Sequence, residues 1–465
     1  MCLIESLIPN KKIYFVGIGG VGMSALAHIL LCRGYCVSGS DLKETKITKR
    51  LKSFGAEIFL GHCAENVGDE DVLVYSSCIQ KNNPEIICAE KKKIKLIQRA
   101  LLLDILMRDN TAITVTGTHG KTTVTALTAF LLKNAGLNPS YAIGADVSNL
   151  GGNAEHGRGK YFVAEADESD GSFLCLHSDC AVITNIDKEH LEYYANMQNV
   201  LKAYARFAVN INPQGTLFCF AQDRNVQSIL KAYTGRVITY SLESSADIYA
   251  CNISYCDRGT EFDCIYQGKF MQRFKLQVPG LYNVLNALAC IGLGVELKIN
   301  YEIIAHTLEN FCGAERRFQV KRNNYRDVMI VDDYAHHPNE IRAVLKAAKM
   351  CKRKRVIGVF QPHRFSRTKF LKEEFGRCFT DTDCLVVTEI YSAFEQPIEG
   401  IAGRNICEEV KKNGHKNACF LPLEKVNEHL LRIVRSGDIV MMLGAGTIND
   451  LSEQLSMKLS NYAQT

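Results

Sequence analysis

No Cys-x-x-Cys pair occurs among the 19 cysteines of this 465-residue chain, and an odd total cannot pair completely within one molecule. A disulfide framework is therefore not expected. Many of the cysteines, such as Cys32, Cys180, Cys219 and Cys290, sit inside apolar runs, where cysteine acts as a small hydrophobe. With no signal-peptide pattern over residues 1–12, reduced thiols in a cytoplasmic setting are the expectation. No uninterrupted apolar stretch reaches about 18 residues, which argues against insertion in a membrane. A strong excess of one charge sign is also missing. Lysine and arginine number 55 against 50 aspartates and glutamates, leaving +5, so nucleic acid is not indicated. The basic clusters Lys91–Lys93 and Lys352–Arg355 read as solvated surface. Internal repeats, low-complexity tracts and long proline-rich linkers are absent too.

What remains is an ordinary globular composition, 47% hydrophobic and 23% charged, long enough for about three domains. Strand-like and helix-like runs alternate from the start. Ile13–Val16 leads into Gly17-Ile18-Gly19-Gly20-Val21-Gly22 and a helix to about Cys32, and Cys36–Ser40 is a second strand ending at Asp41. Val72–Tyr75 and Ile94–Ile97 follow as later strands. Such alternation predicts a parallel sheet covered on both faces by helices. Further apolar runs at Phe162–Glu165 and Ala181–Thr184 have the pattern of buried parallel strands. Shorter strands between Asp247 and Val278, separated by Asp257-Arg258-Gly259 and Gln267-Gly268-Lys269, suggest an antiparallel patch before helix returns at Asn283–Val295. Beyond a boundary near Gly313–Arg317, strands at Val328–Val331, Val356–Phe360, Cys384–Thr388 and Ile439–Leu443 define a last α/β block.

The most informative stretch is Thr116-Gly117-Thr118-His119-Gly120-Lys121-Thr122-Thr123. It follows a β-type run, Ala112–Val115, and opens a helical run from Val124 to Leu132. A strand, a glycine loop and Lys-Thr at a helix start make a phosphate cradle. Glycines let backbone N–H groups wrap an anion, and the helix N-terminus adds partial positive charge. Lys121 would reach the β- and γ-phosphates, and Thr122 would offer its hydroxyl to Mg²⁺. The loop is a compact variant of G-x-x-x-x-G-K-[ST], with Val115 at the position of the first glycine. A nucleoside triphosphate is the expected ligand.

Other constellations stand at the ends of strands, where ligands bind in open α/β sheets. Gly17, Gly19 and Gly22 with Asp41 fit a dinucleotide fingerprint, and the same loop serves other nucleotide diphosphates equally well. A nicotinamide-dependent dehydrogenase and a plain binding ATPase therefore stay open at this point. Glu165 ends an apolar strand and suits Mg²⁺, while Asp167, Glu168 and Asp170 read as solvated. His190, in Thr184-Asn185-Ile186-Asp187-Lys188-Glu189-His190, could join a second metal site, touch phosphate or be structural. Asp333 and His336 are spaced to share one side of an incipient helical turn. Arg364 and Arg367 suit capture of phosphate or carboxylate.

Taken in order, Gly17–Ser24, Gly117–Thr122, Glu165–Asp170, Asn185–His190, Asn283 with Asn286, Arg316-Arg317-Phe318, Asp332–Pro338 and Gln361–Arg364 resemble the Mur ligases of peptidoglycan synthesis, from about residue 12 to 450. The resemblance implies an α/β protein of three domains. Residues 1–108 would form a Rossmann-like domain for a UDP-sugar, 109–314 a central P-loop ATPase domain, and 315–465 a C-terminal Rossmann-like domain closing over ATP and an amino acid. The alanine-adding branch is nearest. It implies ATP-dependent joining of L-alanine to UDP-N-acetylmuramate through an acyl phosphate, in a monomer or homodimer. A relative that reattaches a recycled murein tripeptide is the close alternative.

By the same resemblance, Gly117, Thr118, His119, Gly120, Lys121, Thr122, Thr123, Asn283, Asn286 and Arg317 would bind ATP. Thr122, Glu165 and His190 would hold Mg²⁺, and Arg317 and Asp333 would meet the nucleotide. Gly17, Gly19, Gly20, Gly22, Asp41 and Ser76 would hold the UDP-sugar. Tyr334, His336, His337, Arg364 and Arg367 would line the amino-acid side. Two departures stand out: Tyr282 occupies the family's usual histidine position before Asn283, and residues 203–207 lack the lysine that several sister ligases carry.

Overall fold

The computed structural model describes every residue except 1–3, 5, 6, 9, 232, 257, 258, 322–326, 394 and 463–465. The fold is α/β, built on three sheets in two compact units. One unit comprises Met1–Cys251, Asp263–Gln272 and Leu285–Leu308; the other comprises Asn252–Phe262, Arg273–Val284 and Glu309–Thr465.

The first sheet, in the first unit, contains β1 (Lys12–Val16), β2 (Cys36–Asp41), β3 (Glu57–Leu60), β4 (Val72–Tyr75) and β5 (Lys95–Gln98). Its order is β3-β2-β1-β4-β5 and every pairing is parallel. Burial on both faces explains the uninterrupted apolar runs. Ile13 and Phe15 pack on one side with the helix Val21–Cys32, and Tyr14 and Val16 pack on the other with Ile86 and Ala89. The strand order reverses between β1 and β4. In an open α/β sheet such a reversal marks where ligands bind beyond the C-terminal strand ends, and here the glycine loop and Ser76 follow those ends.

The second sheet carries β6 (Thr111–Thr116), β7 (Ser140–Val147), β8 (Gly152–Glu155), β9 (Tyr161–Glu165), β10 (Ser178–Ile183), β11 (Ile211–Phe220), β12 (Arg236–Ser241) and β13 (Ile248–Cys256). β6 lies between β10 and β9, parallel to both, so the phosphate loop leaves the middle of the sheet. The helix that follows, Lys121–Asn134, buries every residue from Thr122 to Leu132. β13, β14 (Gly259–Tyr266) and β15 (Lys269–Leu276) are successive neighbours in the sheet order. Gln267 and Gly268 join the last two with φ of 48° and 75°, the positive pair of a tight hairpin turn. The expected turn at Asp257-Arg258 lies outside the described residues.

In the second unit the third sheet holds β16 (Gln319–Lys321), β17 (Met329–Asp333), β18 (Arg355–Phe360), β19 (Cys384–Val387), β20 (Ala418–Phe420) and β21 (Asp438–Leu443). The order is β16-β17-β21-β18-β19-β20, parallel apart from β16. Two sequence expectations need correcting. β17 runs on to Asp333 through its pairing with β21, and the next helix starts only at Pro338, so Asp333 and His336 share no helical turn. Cys32 is exposed at its helix end, whereas Cys180, Cys219 and Cys290 are buried as expected. Among the described residues no helix is long and apolar enough to cross a membrane.

One buried carboxylate holds the first sheet's outer segments together. Glu85, at the start of the helix Pro84–Lys91, accepts from Tyr14 Oη and Ser40 Oγ at 2.7 Å each and from Asn66 Nδ2 at 3.0 Å. His62 Nδ1 lies 2.9 Å away. Removing the acceptor strands these donors in the interior, so Glu85→Ala should lower stability by about 3 kcal/mol. A denaturant midpoint unchanged from wild type would exclude that role.

Candidate active site

The phosphate loop owes its shape to two glycines that no other residue could replace without strain. Gly117 has φ +130° and Gly120 φ +88°, both in the left-handed half of backbone space. A Cβ on Gly117 would lie 2.1 Å from Thr184 Oγ1, and one on Gly120 would lie 2.6 Å from Asn286 Oδ1. The loop after β10 clamps this backbone. Thr118 N donates to Asn185 O at 3.0 Å, and His119 N donates to Asn185 Oδ1 at 2.9 Å. His119 O accepts from Thr184 Oγ1 at 2.6 Å and from Asn185 Nδ2 at 2.9 Å, while Asp187 N donates to Thr118 Oγ1 at 2.8 Å. Thr184 and Asn185 therefore brace the cradle, and a Thr-Asn dipeptide gives no local sign of that task.

Lys121 Nζ donates to Gly117 O at 2.6 Å, Thr118 O at 3.3 Å and Glu168 Oε1 at 2.9 Å. Burial works against the ammonium, but Glu168, Asp167 and Glu165 outweigh it and hold Lys121 above its ordinary pKa. Glu168 is a correction to the sequence reading. It is 2% exposed, not solvated, and burial raises its carboxyl in spite of the pull of Lys121. Asp167 is half-buried; burial would raise it, yet Lys121 and the Ser169 N–H hold it below the usual carboxylate range.

Thr122 Oγ1 lies 3.1 Å from Glu165 Oε1, and the other oxygen of Glu165 accepts from Gly144 N at 2.8 Å. A hydroxyl and a carboxylate converging at a phosphate loop form a hard-oxygen pair, which fits Mg²⁺. His190, held at φ 55°, points Nε2 at Glu168 Oε1 over 3.7 Å. Thr123 is buried on the first turn of the loop's helix. Asn286 overhangs Gly120, and Asn283, one turn earlier on the helix Leu281–Glu296, donates from Nδ2 to Pro279 O at 2.8 Å.

At the first glycine loop, Gly17 N and Ile18 N both donate to Ser40 O at 2.9 Å, and Gly20 N donates to Gly17 O at 3.1 Å. Asp41 Oδ2 accepts from Gly19 N at 2.9 Å. Gly22 faces Arg99, whose guanidinium a Cβ would approach to 3.0 Å. Ser76 follows β4, and its carbonyl accepts from Ile79 N at 3.0 Å.

In the second unit Asp333 is buried. Its Oδ2 accepts from Phe318 N at 2.6 Å and its Oδ1 from Ala335 N at 2.7 Å. The Arg317 guanidinium lies 5.1 Å from the Tyr334 ring centroid, with Arg316 at 5.0 Å. His336 Nδ1 is 3.0 Å from Tyr334 O, and His337 caps the helix Pro338–Met350. Arg367 Nη1 lies 3.1 Å from His363 Nδ1, and Arg364 takes φ +70° at the head of a short helix. His363 stacks on Tyr391 with centroids 5.6 Å apart, bringing in two rings that the sequence reading did not assign to this group. Tyr282 packs toward Gly280 and Ala347 in the second unit's core.

Comparison with known proteins matches three successive domain descriptions. These are the Mur ligase family catalytic domain over residues 12–111, the Mur ligase middle domain over 115–294, and the Mur ligase glutamate ligase domain over 316–446. A curated UDP-N-acetylmuramate–L-alanine ligase of Syntrophotalea carbinolica is 44% identical over 447 residues, 96% of this chain and 97% of the relative. One from Geobacter sulfurreducens is 45% identical over 457 residues, covering 98% and 99%. The crystal structure of a UDP-N-acetylmuramate–alanine ligase from Thermotoga maritima superposes with a TM-score of 0.84 at 31% identity, covering 97% of this chain and 99% of that one.

Asp333 gives a pH test. Burial pushes its carboxyl from 3.8 up to about 6, against the opposing pull of Arg317 and the two N–H donors. The folded state thus holds this proton more tightly than the unfolded chain. The resulting stabilisation is full below the unfolded pKa and is lost as pH rises through about 6. Asp333→Asn removes that dependence, so its thermal midpoint should gain on wild type as pH climbs from about 4 to 6. Parallel curves for the two proteins would refute the assignment.

Proposed function

The chain belongs to the Mur ligase family, and from that premise we propose that it joins L-alanine to the lactyl carboxylate of UDP-N-acetylmuramate, consuming ATP. What carries this reading is identity along nearly the whole chain to curated relatives named for that reaction. The residues support it chemically. A carboxylate is a poor electrophile, and transfer of the γ-phosphoryl group of ATP makes it an acyl phosphate. The alanine amine then attacks the acyl carbon, and phosphate leaves with the electron pair of the broken C–O bond. No serine or cysteine nucleophile is required. Catalysis consists of positioning and of neutralising charge on phosphoryl oxygens.

In this reading the loop residues Gly117, Thr118, His119, Gly120, Lys121, Thr122 and Thr123 bind the triphosphate, with Asn283, Asn286, Arg317 and Asp333 serving the nucleotide. Thr122 and Glu165 hold Mg²⁺ and His190 serves a second ion; the metal supplies positive charge at the phosphates. The carboxylates Glu165, Asp167 and Glu168 near Lys121 suit a cation at this place. Gly17, Gly19, Gly20, Gly22, Asp41 and Ser76 receive the UDP-sugar, and Tyr334, His336, His337, Arg364 and Arg367 receive the amino acid. We further propose three functional domains, 1–108, 109–314 and 315–465, acting in a cytoplasmic enzyme that is a monomer or homodimer.

The deciding experiment is a phosphate-release assay with each substrate omitted in turn. ADP should appear only with UDP-N-acetylmuramate, L-alanine and ATP together, and replacing alanine by murein tripeptide or D-glutamate should abolish it. Hydrolysis without the UDP-sugar would sink the proposal. Lys121→Ala and Glu165→Ala should each lower turnover at least ~100-fold, because each removes charge stabilisation made mainly in the transition state. Near-native turnover in either variant would take that residue out of the site.

A further inference from the structure

Arg50 has no place in the assignments above, yet it joins segments that both proposed substrate loops depend on. It lies in the last turn of the helix Lys46–Ser53. Its guanidinium grips Asp146 on β7 with two hydrogen bonds, Nη1 to Oδ2 at 3.1 Å and Nη2 to Oδ1 at 2.8 Å. Nη2 also donates to Asn153 Oδ1 at 2.9 Å. Asn153 is buried and passes the contact on, since its Nδ2 donates to the carbonyl of Val21 at 2.9 Å. Val21 is the first residue of the helix that the glycine loop opens.

The other arm leads to the phosphate loop. Asp146 stands two residues beyond Gly144, whose N–H donates to Glu165 Oε2 at 2.8 Å, and Glu165 Oε1 accepts from Thr122 Oγ1 at 3.1 Å. A continuous path therefore runs from Val21 through Asn153, Arg50, Asp146 and Glu165 to Thr122. Its partners are 96 and 103 residues from Arg50 in sequence, so local folding does not explain the meeting. Gly152 leaves room for the guanidinium, which a Cβ there would approach to 3.3 Å. Arg50 and Asp146 are 31% and 30% exposed at their side chains, and an isolated pair of that kind contributes little to stability. A bidentate fork with a third bond to a buried amide has the geometry for a different task, which is to fix direction.

We propose that Arg50 is a positioning residue that sets the UDP-sugar loop against the phosphate loop, so that the sugar's carboxylate meets the γ-phosphate of ATP in line. This rests on the functional reading above. In-line transfer tolerates little displacement, and a shift of about 1 Å costs on the order of 100-fold. The bridge acts on the geometry between two bound substrates and leaves the binding of each largely alone.

The test uses the full chain. Arg50→Ala and Asn153→Ala should lower kcat for ligation about 10-fold or more, with each KM within about 2-fold of wild type. Binding of a non-hydrolysable ATP analogue by calorimetry should be unchanged. The double variant R50D/D146R should recover part of the loss, because it restores the ion pair in reverse. Wild-type kcat in Arg50→Ala overturns the proposal. A rise confined to the KM for the UDP-sugar also overturns it, since Arg50 would then be a ligand contact. So does a fall in thermal midpoint with kcat intact, the mark of a purely structural bridge. Failure of the wild-type chain to ligate under the same conditions would instead remove the functional reading.

Discussion

A buried ammonium must find acceptors or lose its proton, and Lys121 finds three: the carbonyls of Gly117 and Thr118 and the carboxylate of Glu168. Much of the site's order follows. To bring two carbonyls onto one nitrogen the loop must curl, and curling needs positive φ at Gly117 and Gly120. Curled, the loop comes within contact of Thr184 and Asn185, which satisfy the backbone groups of Thr118 and His119. The shape of the loop is therefore fixed by contacts within the protein itself.

The phosphate loop was legible because its signal is local. Strand, glycines, Lys-Thr and helix lie within a few residues, and each acts through its own backbone. Glu168 was not legible for the opposite reason. In Glu165-Ala166-Asp167-Glu168-Ser169-Asp170 the strand end singles out Glu165, but the later acids look alike, and only the path of the chain after β9 brings Glu168 beneath a lysine 47 positions away. His336 was misjudged through spacing. A three-residue interval implies a helical face only inside a helix, and here the ladder with β21 keeps the chain extended through Asp333. Cys32 shows the same limit, since an apolar run does not say which residue of a helix end faces out. Strands buried on both faces, such as β1, β4, β9, β18 and β21, were legible as continuous apolar runs, whereas β3, β7, β8, β11, β12, β16 and β20 were not singled out.

Position Tyr282 shows how a departure from a family pattern can be absorbed. Its ring lies against Gly280 and Ala347, within the second unit's core, and a Cβ on Gly280 would approach it to 2.7 Å. Gly280 itself has φ +105°, so the glycine serves both the turn and the ring. Asn283 has an anchor of its own on Pro279 O. The phenol ring is thus housed by packing at this place.

The two glycine loops begin from similar sequence logic and end in different chemistry. In a nicotinamide site the acid after the second strand faces the ribose hydroxyls. Here Asp41 Oδ2 is engaged by Gly19 N at 2.9 Å, inside the loop. Gly17 and Ile18 spend their amides on Ser40 O, so three consecutive N–H groups of this turn are bonded to the end of β2. The second loop differs in having a lysine at its helix start and a hydroxyl beside a carboxylate, Thr122 with Glu165. The two loops thus differ in what they present: the first bonds its leading amides within the fold, whereas the second sets an ammonium, a hydroxyl and a carboxylate side by side.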